Sequence, residues 1–338
     1  MKLDEMTYGQ PLATTAASVR AARERGYDGW FVSETTHDPF LAAAVAGQVS
    51  GPMQVGTAIA VAFPRSPMHV AYAAHDLQAL TGGRFVLGLG SQIKPHIEKR
   101  FSTEWSKPAA RMREYVLALR AIWAAWRSGE PLAFRGEFYR HTLMTPFFTP
   151  EDHGHGDPAV WLAAVGPLMT RVTGEVADGL LAHGFTTARY LAEVTLPNLV
   201  EAAAEAGRSR ADLEVVLPVF VVTGSSAEQR AASEAMVRGQ LAFYGSTPAY
   251  RAVLELHGWG ALHEQLHAAS VSDRWAEMPA MIPTEVLETF AVVAEPDELG
   301  AAVRARYAGL ADRVSLSSAP LTDEQFAKMA SEGGLSAD

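Results

Sequence analysis

No cysteine occurs in the 338 residues. Disulfides, thiolate nucleophiles and Cys-ligated zinc or iron–sulfur centres are thereby excluded, and the chain fits a reducing compartment. Basic residues are scarce beside acidic ones, 28 Lys and Arg against 38 Asp and Glu, for a formal charge of −10. Nucleic-acid binding needs clustered Lys and Arg to displace counterions from phosphates. No basic stripe is present, so no nucleic-acid partner is expected. No apolar run approaches the roughly 20 residues that cross a bilayer. The opening Met1-Lys2-Leu3-Asp4-Glu5-Met6 lacks the charged-then-apolar pattern of a secretory leader. The expectation is a cytoplasmic protein without a membrane partner that acts on a small molecule. Gly-x-Ser-x-Gly elbows, His-Glu-x-x-His helices and Walker loops are also missing, which removes the commonest hydrolase and nucleotidase signatures.

What is present is 48% hydrophobic and 20% charged residues, the balance of a folded protein. Short β-branched runs alternate with amphipathic stretches, the mark of parallel α/β architecture. The strand-like segments are 2–6, 28–33, 53–61, 84–90, 159–164, 178–182, 213–223, 290–294 and 312–318. Helical spacing covers 13–25, 42–49, 67–80, 108–126, 167–176, 189–206 and 296–307, and 134–139 reads as a small hairpin. Counting 2–6 as the first, eight strands can be placed, and seven or nine almost as easily. An α/β (β/α)8 TIM barrel is expected, as one domain over 1–338 with insertions at about 91–158 and 224–289.

Barrel enzymes carry their chemistry at the C-terminal ends of strands. Ser33-Glu34-Thr35-Thr36-His37-Asp38-Pro39 puts two carboxylates and an imidazole after the second strand, a pattern suited to acid–base work. The competing reading is a polar loop in which Asp38 caps the next helix. Gly88-Leu89-Gly90 permits close backbone approach to a ligand but lacks the third glycine of a dinucleotide fingerprint. Val165-Gly166-Pro167 leads into a helix whose free N–H groups suit a phosphate, with a plain connection as the alternative. His153-Gly154-His155 has too little preorganisation for a metal site, and none is expected. Arg65, Arg84, Arg171 and Lys94 are cations for an anionic cofactor tail or simply surface. Trp123 and Trp126 fit helix packing.

Taken together, Val55-Gly56-Thr57-Ala58-Ile59-Ala60-Val61, Arg65-Ser66-Pro67 and Gly82-Gly83-Arg84-Phe85-Val86-Leu87-Gly88-Leu89-Gly90 resemble the bacterial-luciferase-like monooxygenase superfamily. Phe134-x-Gly136-Glu137-Phe138-Tyr139, Ala163-Ala164-Val165-Gly166-Pro167 and Ala177-Asp178-Gly179 extend the likeness in family order to nearly the whole chain. It is nearest the branch that uses coenzyme F420. The resemblance implies hydride transfer between C5 of that deazaflavin and a small organic substrate: reduction of a C=C, C=N or C=O bond, or alcohol oxidation. FMN-dependent monooxygenation is the alternative, and a non-catalytic ligand-binding barrel a third reading. It also implies a backbone bulge, often with a non-proline cis peptide, at Ala58-Ile59-Ala60 behind the ring. Cofactor contacts are implied at Ser91, His96 and His183, and phosphate contacts near Val165, Gly166 and Thr170. Many members of the branch carry an adjacent acid–His pair after the second strand. Here His37 stands three positions beyond Glu34, and these two are the expected catalytic residues. Thr186 and Met281-Ile282-Pro283 stand where sugar-phosphate dehydrogenases of the branch carry basic residues, so glucose-6-phosphate is not the expected substrate. The insertions supply Trp105, Phe148, Phe243, Tyr244 and Trp259 as candidate pocket aromatics, and a homodimer is expected by analogy.

Overall fold

The computed structural model describes residues 1–317 and 319–335, so Ser318, at the end of the last expected strand, lies outside the described residues. The elements are β1 (Lys2–Tyr8), α1 (Leu12–Arg25), β2 (Gly29–Ser33), α2 (Pro39–Val49), β3 (Gln54–Thr57, resuming at Ala60–Val61), α3 (Pro67–Leu80), β4 (Phe85–Gly90), α4 (Pro108–Ser128) and β5 (Ala159–Ala164). There follow α5 (Pro167–Val176), β6 (Gly179–Ala182), α6 (Leu196–Glu205), β7 (Glu214–Val222), α7 (Ala227–Gly245), β8 (Ala291–Val293), α8 (Leu299–Tyr307), β9 (Arg313–Ser317) and α9 (Asp323–Gly333). Strands β1 to β7 pair in order and in parallel, and β9 closes the ring between β7 and β1. The sheet is thus an eight-stranded parallel barrel with surrounding helices.

The ninth strand is additional. Val216 faces Leu181 of β6 and Arg313 of β9, whereas Phe220 faces Ala291 of β8 and Ser317 of β9. Because β9 occupies one edge of β7, β6 and β8 share the other. The short β8 therefore covers the edge that β6 leaves free, satisfying backbone groups that would otherwise be unpaired.

Three aspartates start strands in the same way. The Asp28, Asp178 and Asp312 carboxylates accept from Leu3 N, Val160 N and Val215 N, each at 2.7 Å. Each one ties the entry of its own strand to the start of a neighbour. After two of them comes glycine, for a steric reason. A Cβ on Gly29 would lie 2.5 Å from Phe31, and one on Gly179 would lie 2.5 Å from Trp161.

Those two rings stack inside the barrel at 5.3 Å, and the Arg313 guanidinium sits 5.7 Å from Phe31 and 5.5 Å from Trp161. Arg313 donates to both oxygens of Asp4, at 2.7 and 2.5 Å, and both side chains are fully buried. Burial pushes the Asp4 carboxyl up, against the downward pull of Arg313. We read the pair as ionised, because bidentate geometry suits a carboxylate and a guanidinium.

Two local expectations are revised. The hairpin strands are Phe134–Arg135 and Arg140–His141. Residues 137–139 turn instead, because the Glu114 carboxylate takes the N–H groups of Glu137, Phe138 and Tyr139 at 2.6–2.8 Å. The expected helix 189–206 contains a π-helical turn at Leu191–Thr195 before α6. As expected, Trp123 and Trp126 pack inside, Trp123 donating to Ala71 O at 3.2 Å. Among the described residues no helix is long and apolar enough to cross a membrane.

Candidate active site

A cavity of about 220 Å³ opens at the C-terminal ends of the strands. Its floor is Met6 and Leu181 from the barrel interior. One wall is the interruption of β3, where Ala58-Ile59 lies between the two paired segments and its peptide bond is cis, at the position the resemblance implied. A second wall is Ala163 and Ala164 of β5, Val165 just after it and His183 after β6, and the α7 insertion contributes Gln240 and Tyr244. Small residues make the room: a Cβ on Gly90 would lie 2.8 Å from the Ile59 side chain, so a larger residue would push the interrupted segment inward.

Of the residues expected to contact a cofactor, Ala58, Ile59, Val165 and His183 line this cavity. Ala60 is fully buried behind it. Ser91 is half-buried and donates to Gln92 O at 3.2 Å, and His96 is exposed at the start of a π-helical turn. Gly166 is the N-cap of α5, beside Val165, and no side chain caps that helix. A Cβ there would meet nothing within 4 Å, and Thr170 Oγ1 donates to Gly166 O at 3.1 Å. The amino end of α5 thus offers backbone donors to open space, the arrangement that binds anions.

Glu34 and His37 are not brought together. The Glu34 Oε2 accepts from Val61 N at 2.7 Å and from Arg65 Nη1 at 2.7 Å, while Glu34 N donates to Ile59 O at 3.0 Å. Arg65 also donates to Val61 O at 2.9 Å and Asp38 Oδ2 at 2.9 Å. This ion-paired network clamps the β3 interruption from behind. Asp38 caps α2 through Phe40 N at 2.9 Å, the bland reading of that loop. His37 is exposed and is absent from the cavity lining. Neither Arg65 nor Arg171 is free for an anionic tail, since Arg171 is bound by Glu201 and Glu205 of α6.

Of the candidate aromatics only Tyr244 reaches the cavity. Trp105 packs edge-on to Phe63 at 5.8 Å, and Trp259 stacks on His257 at 4.7 Å. Phe148 and Phe243 are exposed. His153 and His155 have rings 5.5 Å apart, and among the described residues no group of three or more His, Asp or Glu is placed to hold a metal. The sequence reading missed Tyr8 and Gln240. Ending the first strand at Met6 hid Tyr8, and nothing local distinguishes Gln240 from the rest of a long helix.

His183 is the most perturbed group in the cavity. Burial pulls its imidazole down from 6.5 to about 4. Its Nδ1 accepts from Phe185 N at 3.0 Å, which leaves the proton of the neutral ring on Nε2. Tyr244 and Tyr250 pack on the ring at 4.5 and 4.6 Å. Between pH 6.5 and about 4 the unfolded imidazole is protonated while the folded one is neutral. Stability from this group is therefore full above 6.5 and is lost as the pH falls toward 4. The loss is about 3 kcal/mol at most. Urea unfolding at a series of pH values is expected to show a decline that His183→Phe flattens, and an unchanged slope in the variant refutes the assignment.

The luciferase-like monooxygenase family model matches residues 2–313. An uncharacterized protein of Mycobacterium tuberculosis is 50% identical over 314 residues, 93% of this chain and 92% of the relative. F420-dependent glucose-6-phosphate dehydrogenase of Rhodococcus erythropolis is 30% identical over 192 residues, 55% of each chain. Among solved structures, the coenzyme F420 dependent tetrahydromethanopterin reductase of Methanopyrus kandleri superposes with a TM-score of 0.77 at 17% identity, covering 98% of this chain and 97% of that one.

Proposed function

Since the chain belongs to the luciferase-like monooxygenase family, a family of flavin- and F420-dependent oxidoreductases, we propose that it is an F420-dependent oxidoreductase acting on a small organic molecule. The observation that carries this reading is the cavity itself: apolar walls beside the β3 interruption, next to an uncapped helix amino end. A planar ring with a phosphate-bearing tail suits those two features together. F420-dependent enzymes among the relatives support the choice of cofactor.

When bound, the deazaflavin supplies or accepts a hydride at C5. The chain's own part is to position and to exclude. Ala58 and Ile59, held by the Glu34–Arg65 network, would back the ring. Leu168 N and Met169 N at the first turn of α5 would hold its phosphate, and Thr170 fixes the Gly166 carbonyl beside them. Apolar neighbours such as Leu181 and Phe220 would keep water from the reacting carbon and so protect a hydride from solvent.

Fluorescence titration of the purified protein with coenzyme F420 and, in parallel, with FMN tests the reading. Micromolar affinity for the deazaflavin is expected, on the order of −8 kcal/mol, with much weaker FMN binding. A preference for FMN would make this a flavin monooxygenase to be assayed with oxygen. Binding of neither would refute the oxidoreductase reading and favour the ligand-binding barrel.

A further inference from the structure

We infer that the cavity takes an uncharged, mainly apolar substrate offering one hydrogen-bond-accepting oxygen to His183, and that it turns away carboxylates and phosphate esters; this rests on the oxidoreductase reading of the same site.

Among the described residues no Asp, Glu, Lys or Arg lines the cavity. The nearby Glu34–Arg65 pair neutralises itself behind the β3 interruption. Two of the polar lining groups are already engaged: Ser33 Oγ donates to Thr7 O at 3.1 Å, and Thr7 Oγ1 donates to Phe31 O at 3.4 Å. Tyr8 is 75% exposed and stands at the mouth. That leaves Gln240, Tyr244 and His183 to meet a substrate within.

His183 is the best placed of the three. Its Nδ1 is held by Phe185 N and its ring is fixed edge-on against Tyr244, so the Nε2–H has a set direction. Nε2 has no protein partner among the described residues. A fixed, unpaired N–H beside apolar walls rewards a carbonyl or hydroxyl oxygen. With the amino end of α5 taken by the cofactor's phosphate, a carboxylate entering beside His183 would shed its hydration with no cation to meet it. The imidazole is neutral at pH 7 because burial holds it near 4, so it supplies no charge of its own. Thr186, at the position where sugar-phosphate dehydrogenases of the branch carry a basic residue, is buried and adds no charge either.

Acetophenone and benzoate have nearly the same shape and differ in charge, which makes them suitable probes. Ligand-observed NMR titrations are run on the protein with and without bound F420. Acetophenone is expected to bind more tightly than benzoate by at least about tenfold. His183→Phe, which keeps the ring but removes the donor, is expected to weaken the ketone by roughly three- to tenfold. His183→Gln, which restores an N–H, is expected to recover most of that loss. Equal or tighter binding of benzoate, no binding of the ketone, or identical behaviour of the Phe and Gln variants would each overturn the inference. A protein that binds the ketone selectively but no deazaflavin would keep the inference and refute the oxidoreductase reading instead.

Discussion

Asp4→Leu is expected to destabilise the protein by about 3–5 kcal/mol. The variant leaves Arg313 fully buried, with its Nε and Nη2 donors stripped of the carboxylate that takes both. Its Nη1 lies 3.6 Å from Glu214, a carboxylate already held by Lys2 at 3.0 Å, so little compensation is at hand. Breaking a buried pair costs far more than replacing it, because the lone charge has lost both water and partner. The double variant Asp4→Leu/Arg313→Met is therefore expected to regain most of the loss. Urea unfolding of the three proteins measures it. A single variant within about 1 kcal/mol of the parent would show that Arg313 finds another arrangement.

The second large effect falls on Glu34. Glu34→Ala removes the acceptor of the buried Val61 N–H and one partner of Arg65. A cost of about 2–4 kcal/mol is expected from an orphaned donor and a broken charge pair. Deazaflavin affinity should fall by about tenfold or more as the wall at Ala58-Ile59 loosens. Glu34→Gln separates positioning from acid–base work. It keeps an acceptor for Val61 N–H, so turnover should stay within about tenfold, whereas losing a general acid costs about 10²- to 10⁴-fold. His37→Ala, on the exposed part of the same loop, should change turnover by less than about threefold. A loss of 10²-fold or more in either conservative test would return that residue to the chemistry.

The strands and most helices were legible because their signals are local. Proline sits at the first turn of α3, α4 and α5 where the sequence placed those helix starts. Barrel closure was less so: seven, eight or nine strands fitted the sequence, and the structure sets β8 outside the ring. Its three residues look like any buried strand, and only the two edges of β7 show that it stands outside the ring. The candidate site was legible in part. The family likeness pointed to Ala58 and Ile59, and the strand-to-helix connection at Val165-Gly166-Pro167 to Val165, all in the wall. The loop after β2 misled, because a carboxylate near a histidine in sequence says nothing about which of its neighbours in space will claim it.

From the sequence alone came the absence of thiol chemistry and the β/α alternation, properties of composition or of a few adjacent residues, and the family likeness, which in turn implied a break at Ala58-Ile59 in what reads locally as one strand. The tertiary structure decided that Asp4 meets Arg313 across 309 positions, that Glu34 is spent on Val61 N–H and Arg65, and that His183 shares a cavity with a residue of the α7 insertion. Each of those outcomes depends on which groups lose water together and which partner reaches a buried charge or donor first. That is settled by long-range packing, and no window of local sequence contains it.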